Sequence, residues 1–409
     1  MHLSPAASTL IHHMLGTCRP PFPAHDLLPK EMWDKIINLV PRGRHLSHFK
    51  SIALTTRVFV PAAQRILFRS IAIGECEYED MRSCALKPLS SDQLVELVEI
   101  LGHSTHLISY IHELKIWKCD DEALAPVAKY EIPPHLITLL VLSSLRELDL
   151  GFWAPSNFAE IIECCNPAVS SLMLTGMRIR HQLPPLHGAN LPPRRPLMIT
   201  HLGLSIMNLS NAVLLPEIFH PESQIDVSCL THLALGLSTL EIPFEIWNYM
   251  WEAGDDEFIC DLLKLDGFPC LTHISIRGVS TALCTEIIGA LGPTIQTITY
   301  LDFYPTRIVS RLRALESSLL AATLPALHTV RIRCRLRDMT DAREGKVDWG
   351  SILVREELGD VPPETEAGVA QWRSIVKDRM PRLVERGMLV LDFGYVDPEW
   401  AWLRSENRR

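Results

Sequence analysis

The sequence predicts an α/β fold: a three-helix module at the amino end, then an irregular repeat array whose strands form one parallel sheet. Three observations predict it. An apolar-x-x-apolar-x-apolar pattern recurs from Ile111 to Phe393. Segments with helical spacing lie between many of its copies. The first ~75 residues carry helical periodicity but no copy of the pattern.

Composition sets the outer limits. The 409 residues are 47% hydrophobic and 21% charged, the balance of a folded chain. The net charge of −9 argues against a general nucleic-acid surface, which needs a basic excess. The 11 cysteines are scattered and include no C-x-x-C pair, so they read as reduced thiols of the cytoplasm or nucleus and not as a zinc ribbon. Met1 to Ala24 lacks a charged region followed by an unbroken apolar core, so no signal peptide is expected, and residues 1–25 are expected to be disordered. No apolar run approaches the ~20 residues that span a bilayer. The expectation is a soluble intracellular protein with no membrane or nucleic-acid partner.

Residues 26–75 read as the helical module. Pro29 sits where a helix starts, at a position whose missing N–H costs nothing, and Glu31 suits the positive end of the helix dipole. Met32, Trp33, Ile36, Ile37, Leu39 and Val40 follow at helical spacing until Pro41-Arg42-Gly43 stops the run. Leu46, Phe49, Ile52, Ala53 and Leu54 make a second amphipathic segment, and Pro61 opens a third. Three short helices bury little surface, and their apolar content exceeds what so small a core needs. Either the module caps the next domain or it keeps a face for a partner.

The order of these residues resembles the F-box. The family opens with Leu-Pro-x-Glu, here Leu28-Pro29-Lys30-Glu31. An Ile pair follows, here Ile36-Ile37, then a Leu after a break, here Leu46. Next comes Ser51-Ile52-Ala53-Leu54-Thr55 with Arg57 and Phe59, and the continuation from Ala63 to Ser70 is similar to fungal members. Phe59 stands where many F-boxes carry Trp. The resemblance covers roughly residues 27–73. It implies that Leu28, Pro29, Ile36, Ile37, Leu46 and Leu54 meet a Skp-type adaptor, and through it a cullin.

Residues 76–409 carry the repeats. The copies read as Ile111/Leu114/Ile116, Leu145/Leu148/Leu150, Val169/Leu172/Leu174, Ile199/Leu202/Leu204 and Leu230/Leu233/Leu235, then Leu271/Ile274/Ile276, Ile298/Leu301/Phe303, Leu327/Val330/Ile332 and Met388/Leu391/Phe393. Their period is near or above that of leucine-rich repeats, so the reading is an irregular leucine-rich-repeat solenoid. A non-repetitive parallel α/β domain is the alternative. Against it stand three phrases in one phase: Ile199-Thr200-His201-Leu202, Leu230-Thr231-His232-Leu233 and Leu271-Thr272-His273-Ile274. Insertions are expected at 181–196, 241–267 and 338–363, with a helix from Ala367 to Arg379 and a last strand capping the end.

Two sets of side chains are candidates for chemistry. His201, His232 and His273 hold one register, which suits a structural hydrogen-bonding role better than a metal site. Arg331 and Arg333 alternate with apolar residues on one strand; Arg277 lies in register on an earlier repeat, and Tyr300 and Tyr304 on the repeat between. Such a face is suited to gripping an acidic or phosphorylated segment by bidentate contacts, or it is a charged edge that resists aggregation. No phosphate-binding loop, nucleophile elbow, dinucleotide fingerprint or H-E-x-x-H is present, so neither an enzyme nor a cofactor is expected. Together the module and the array imply the substrate-recognition subunit of an SCF-type ubiquitin ligase, or else a solenoid interaction scaffold without a ligase role.

Overall fold

A computed structural model describes residues 60–74, 91–117, 134–151, 161–175, 196–206, 225–237, 265, 268–277, 281–302, 305–335 and 366–394. The chain divides into two compact units, Met1–Phe68 and Arg69–Arg409. In the first, the described element is helix α1 (Val60–Leu67). Pro61 lies in its first turn, as the sequence predicts, and Ala62 and Ala63 are buried. Leu28, Pro29, Ile36, Ile37, Leu46 and Leu54 lie outside the described residues.

The second unit is built on ten parallel strands. They are β1 (Ser70–Gly74), β2 (Glu113–Trp117), β3 (Glu147–Gly151), β4 (Ser171–Thr175), β6 (His201–Ile206), β8 (His232–Leu237), β9 (His273–Arg277), β10 (Thr297–Asp302), β11 (Thr329–Arg335) and β12 (Leu389–Gly394). They lie side by side in chain order. β5 (Leu197–Met198) and β7 (Ile225–Asp226) pair in a small sheet of their own, just ahead of β6 and β8. β1, which the sequence reading groups with the helical module, is the first strand of the large sheet.

The core follows from a period of two residues in each strand. Leu114, Leu148, Leu172, Leu202, Leu233, Ile274, Ile298 and Val330 stand opposite one another in successive strands and are all buried. A second ladder runs from Ile116 through Leu150, Leu174, Leu204, Leu235 and Ile276 to Tyr300 and Ile332. Each such side chain contributes roughly 1.5–3 kcal/mol by leaving water.

This register corrects two copies of the repeat. On β10 the apolar triplet is Ile295/Ile298/Tyr300, all buried, and not Ile298/Leu301/Phe303. On β12 Leu389 and Leu391 face Val330 and Ile332, so that copy was placed two residues too late. Leu301 and Phe393 are as apolar as their neighbours, and pattern alone does not choose between adjacent phases.

One joint recurs between strands. From β2 to β11 the two N–H groups that open each strand of the large sheet share a single carbonyl just ahead of or in the strand before: His112 and Glu113 on Arg69, Thr200 and His201 on Ser170, Thr272 and His273 on Thr231. Helices link the strands: α2 (Ser91–His103), α3 (Pro134–Leu140), α4 (Thr281–Gly289), α5 (Pro305–Ala321) and α6 (Glu366–Arg379), of which α6 lies where the sequence predicts a helix. Leu312, Leu315 and Leu319 show the period on α5 and are buried, and Cys284, Ile287 and Ile288 show it on α4. A short α7 (Pro381–Glu385) leads into β12.

Candidate functional site: the polar face of the sheet

Residues between the apolar positions form rows across the other face. One row runs from Glu113 and Glu147 through Ser171 to His201, His232 and His273, then Thr297 and Thr329. The row beside it holds Lys115, Asp149, Met173, Gly203, Ala234, Ser275, Thr299 and Arg331. The face therefore changes character along the sheet, from carboxylates with a lysine, through imidazoles and hydroxyls, to arginines.

The histidines form a stack. The ring centroids of His201 and His232 are 4.4 Å apart with the planes 18° from parallel, and those of His232 and His273 are 4.2 Å apart at 12°. A threonine clamps each ring. Thr200, Thr231 and Thr272 donate their hydroxyls to Ser170 O at 3.2 Å, Thr200 O at 3.0 Å and Thr231 O at 3.2 Å. A hydroxyl has one proton, and a carbonyl only accepts. Each threonine oxygen is thereby left to accept from the next imidazole, and the Nδ1 atoms lie 2.9, 2.8 and 2.8 Å away. This assigns the hydrogen to Nδ1 and the lone pair to Nε2 in all three rings. Parallel rings hold their lone pairs parallel, so they do not converge on a metal; among the described residues no group of three His, Cys, Asp or Glu is placed to hold one. Burial pushes the pKa of His232 down to about 3, and the neighbouring His201 and His273 push the same way. Two imidazolium charges about 4.2 Å apart repel by roughly 4 kcal/mol at an effective dielectric of ~20, and by less where water reaches them.

The basic end is organised by a residue that sequence reasoning missed. Arg331 Nε and Arg333 Nε both lie 3.2 Å from one oxygen, Asp392 Oδ2, on the neighbouring strand. Arg333 and Asp392 are register partners, and Arg277 stands in line with Leu301 and Arg333. The two arginine side chains are 19% and 13% exposed and the aspartate 42%, so the carboxylate is the member that water reaches best. Tyr300 does not belong to this cluster. It is 2% exposed and stands between Ile276 and Ile332 on the core ladder, so the expectation that it lines the arginine face is corrected. Tyr304 lies outside the described residues. The signals for Asp392 and for the threonine clamps were in the sequence. Asp392 stood between the apolar residues Leu391 and Phe393 of the last copy, and the Thr-His pairs stood in the three matching phrases.

At the acidic end Lys115 Nζ lies 3.7 Å from Glu113 Oε1, with side chains 12% and 7% exposed. Asp149, also buried, is the register partner of Lys115. Buried charges persist where they are compensated, and Lys115 and Glu113 compensate each other within β2. Cys165 is no nucleophile: burial pushes its thiol far above the ordinary range, and Cys164 adds to the shift. Among the described residues no helix is long and apolar enough to cross a membrane. No protein-family model matches the chain, and no curated protein matches it.

Proposed function

We propose that the chain is the substrate-recognition subunit of an SCF-type ubiquitin ligase. In this reading Leu28, Pro29, Ile36, Ile37, Leu46 and Leu54 dock a Skp-type adaptor, and the strand array is a leucine-rich-repeat solenoid that holds a protein substrate. The observation that carries it is the ordered residue set from Leu28 to Thr55, with its apolar excess over what a small helical bundle buries. The parallel sheet is compatible with it, since strands added one by one in chain order give an extended face. The protein has no catalytic step of its own here: it acts by holding substrate near the transfer machinery of other subunits. Arg277, Arg331 and Arg333 meet an acidic or phosphorylated substrate segment, with Asp392 as the internal counter-charge that the segment displaces.

Co-expression with a Skp-type adaptor tests the reading. The intact chain should co-purify with the adaptor, and a Leu28→Ala/Pro29→Ala variant should lose at least about ten-fold of the complex, the weight of one anchor residue. An Arg331→Glu/Arg333→Glu variant should keep the adaptor and lose substrate. Failure of the intact chain to bind any adaptor ends the proposal.

The rival is an interaction scaffold whose amino-terminal residues cap the array, and one observation favours it. α1 ends at Leu67 and β1 starts at Ser70, so only two residues of chain separate that helix from the first strand, and a repeat array needs a cap at its first repeat.

A further inference from the structure

We propose that His201, His232 and His273 form a proton-sensitive seam across β6, β8 and β9, closed while the rings are neutral and stacked and loosened when they take up protons. The inference is independent of the adaptor reading and stands on the geometry of the three strands. The threonine clamps occupy every Nδ1, so a proton can enter only at Nε2. Each ring lies cofacially on its neighbour, so a charge gained by one is felt at once by the next.

The surroundings offer an imidazolium little help. On β4 the flanking positions are Ser171 and Met173, and on β10 they are Thr297 and Thr299. The row beside the rings holds Gly203, Ala234 and Ser275. The nearest described carboxylates on this face are Glu147 and Asp149 on β3, two strands from His201. The cations are Arg277 on β9, two positions beyond His273 in the row after Ser275, and Arg331 on β11, two strands away. With no described carboxylate beside the stack, protonation is disfavoured in the closed sheet and favoured once the strands part. The burial of His232 acts in the same direction.

Hydrogen exchange on the full chain tests this, with rates corrected for the intrinsic effect of pH. Between pH 7.4 and pH 5.0, exchange across β6, β8 and β9 should rise about ten-fold or more, while β2 and β3 keep their protection. His232→Gln, neutral at every pH, should remove most of that difference. Carbon and nitrogen shifts of the imidazoles supply a second readout in the unaltered protein: His232 should remain the Nδ1–H tautomer at pH 6. Loss of protection spread evenly over all strands, an acid response unchanged in His232→Gln, or ordinary titration of His232 near pH 6.5 would each overturn the seam.

Discussion

Tyr300 occupies on β10 the place that Ile276 and Ile332 hold on the strands beside it, and its ring fills the same layer. Tyr300→Ala should therefore lower stability by about 3 kcal/mol or more in chemical denaturation, as large-to-small changes in a packed core do. A residue that served only to contact a partner would cost far less. His232 gives a second expectation. Its pKa lies at about 3 in the fold against an ordinary 6.5, so the unfolded chain takes up a proton that the folded one refuses. Its contribution is complete above pH 6.5 and is lost as pH falls from there toward 3. The slope is at most about 1.4 kcal/mol per pH unit, and well below that because water screens a half-buried ring. The denaturation midpoint should fall with acid across this window, and fall less in His232→Gln. At this scale the sequence was readable where a residue type repeated in phase, as with Thr200-His201 and Thr231-His232. It misled where two neighbouring residues were equally apolar, as with Tyr300 and Leu301.

α7 shows how little local sequence a necessary element can carry. Its five residues have no side-chain cap of their own. The buried Glu316 of α5 accepts the N–H of Leu383 at 3.1 Å, so a distant helix supplies the missing acceptor. The other end closes on Gly387, whose φ of 66° is left-handed. There Met388 donates to Leu383 O and Gly387 to Val384 O, the paired bonds of a Schellman ending. No atom lies within 4 Å of a Cβ added at Gly387, so Gly387→Ala pays for backbone conformation alone. It should cost about 1–2 kcal/mol in denaturation and loosen β12, the strand that carries Asp392. Helices of fourteen or seventeen residues, such as α6 and α5, announce themselves by periodicity. Five residues are little more than one turn, too short for a period to show, and α7 became visible only through its partners.

The division of the molecule at Phe68 sets where it can be cut. A chain beginning at Arg69 keeps all ten strands, whereas one beginning at residue 76 loses β1 and the buried Ile71 and Ile73. The longer truncation should be less stable than the shorter by about 3–6 kcal/mol, two isoleucines' worth of burial, as measured by denaturant midpoint. If removing residues 1–68 already unfolds the sheet, the capping reading of the amino end prevails over the docking one. The parallel sheet was legible because one buried pattern recurs from strand to strand and one entry phrase recurs at β6, β8 and β9. β5 and β7 were not, since two residues apiece carry no period.

The shared-carbonyl joint has a mechanical corollary. Each strand of the large sheet pairs with the strands beside it in chain order, so tension applied at the two ends of that sheet is borne one seam at a time. Held in an optical trap, the sheet should give way as a staircase of small ruptures and not in a single break. From Leu148 to Leu172 is 24 residues and from Leu233 to Ile274 is 41. Each rupture should therefore release roughly 80 to 140 Å of slack at ~3.4 Å per residue.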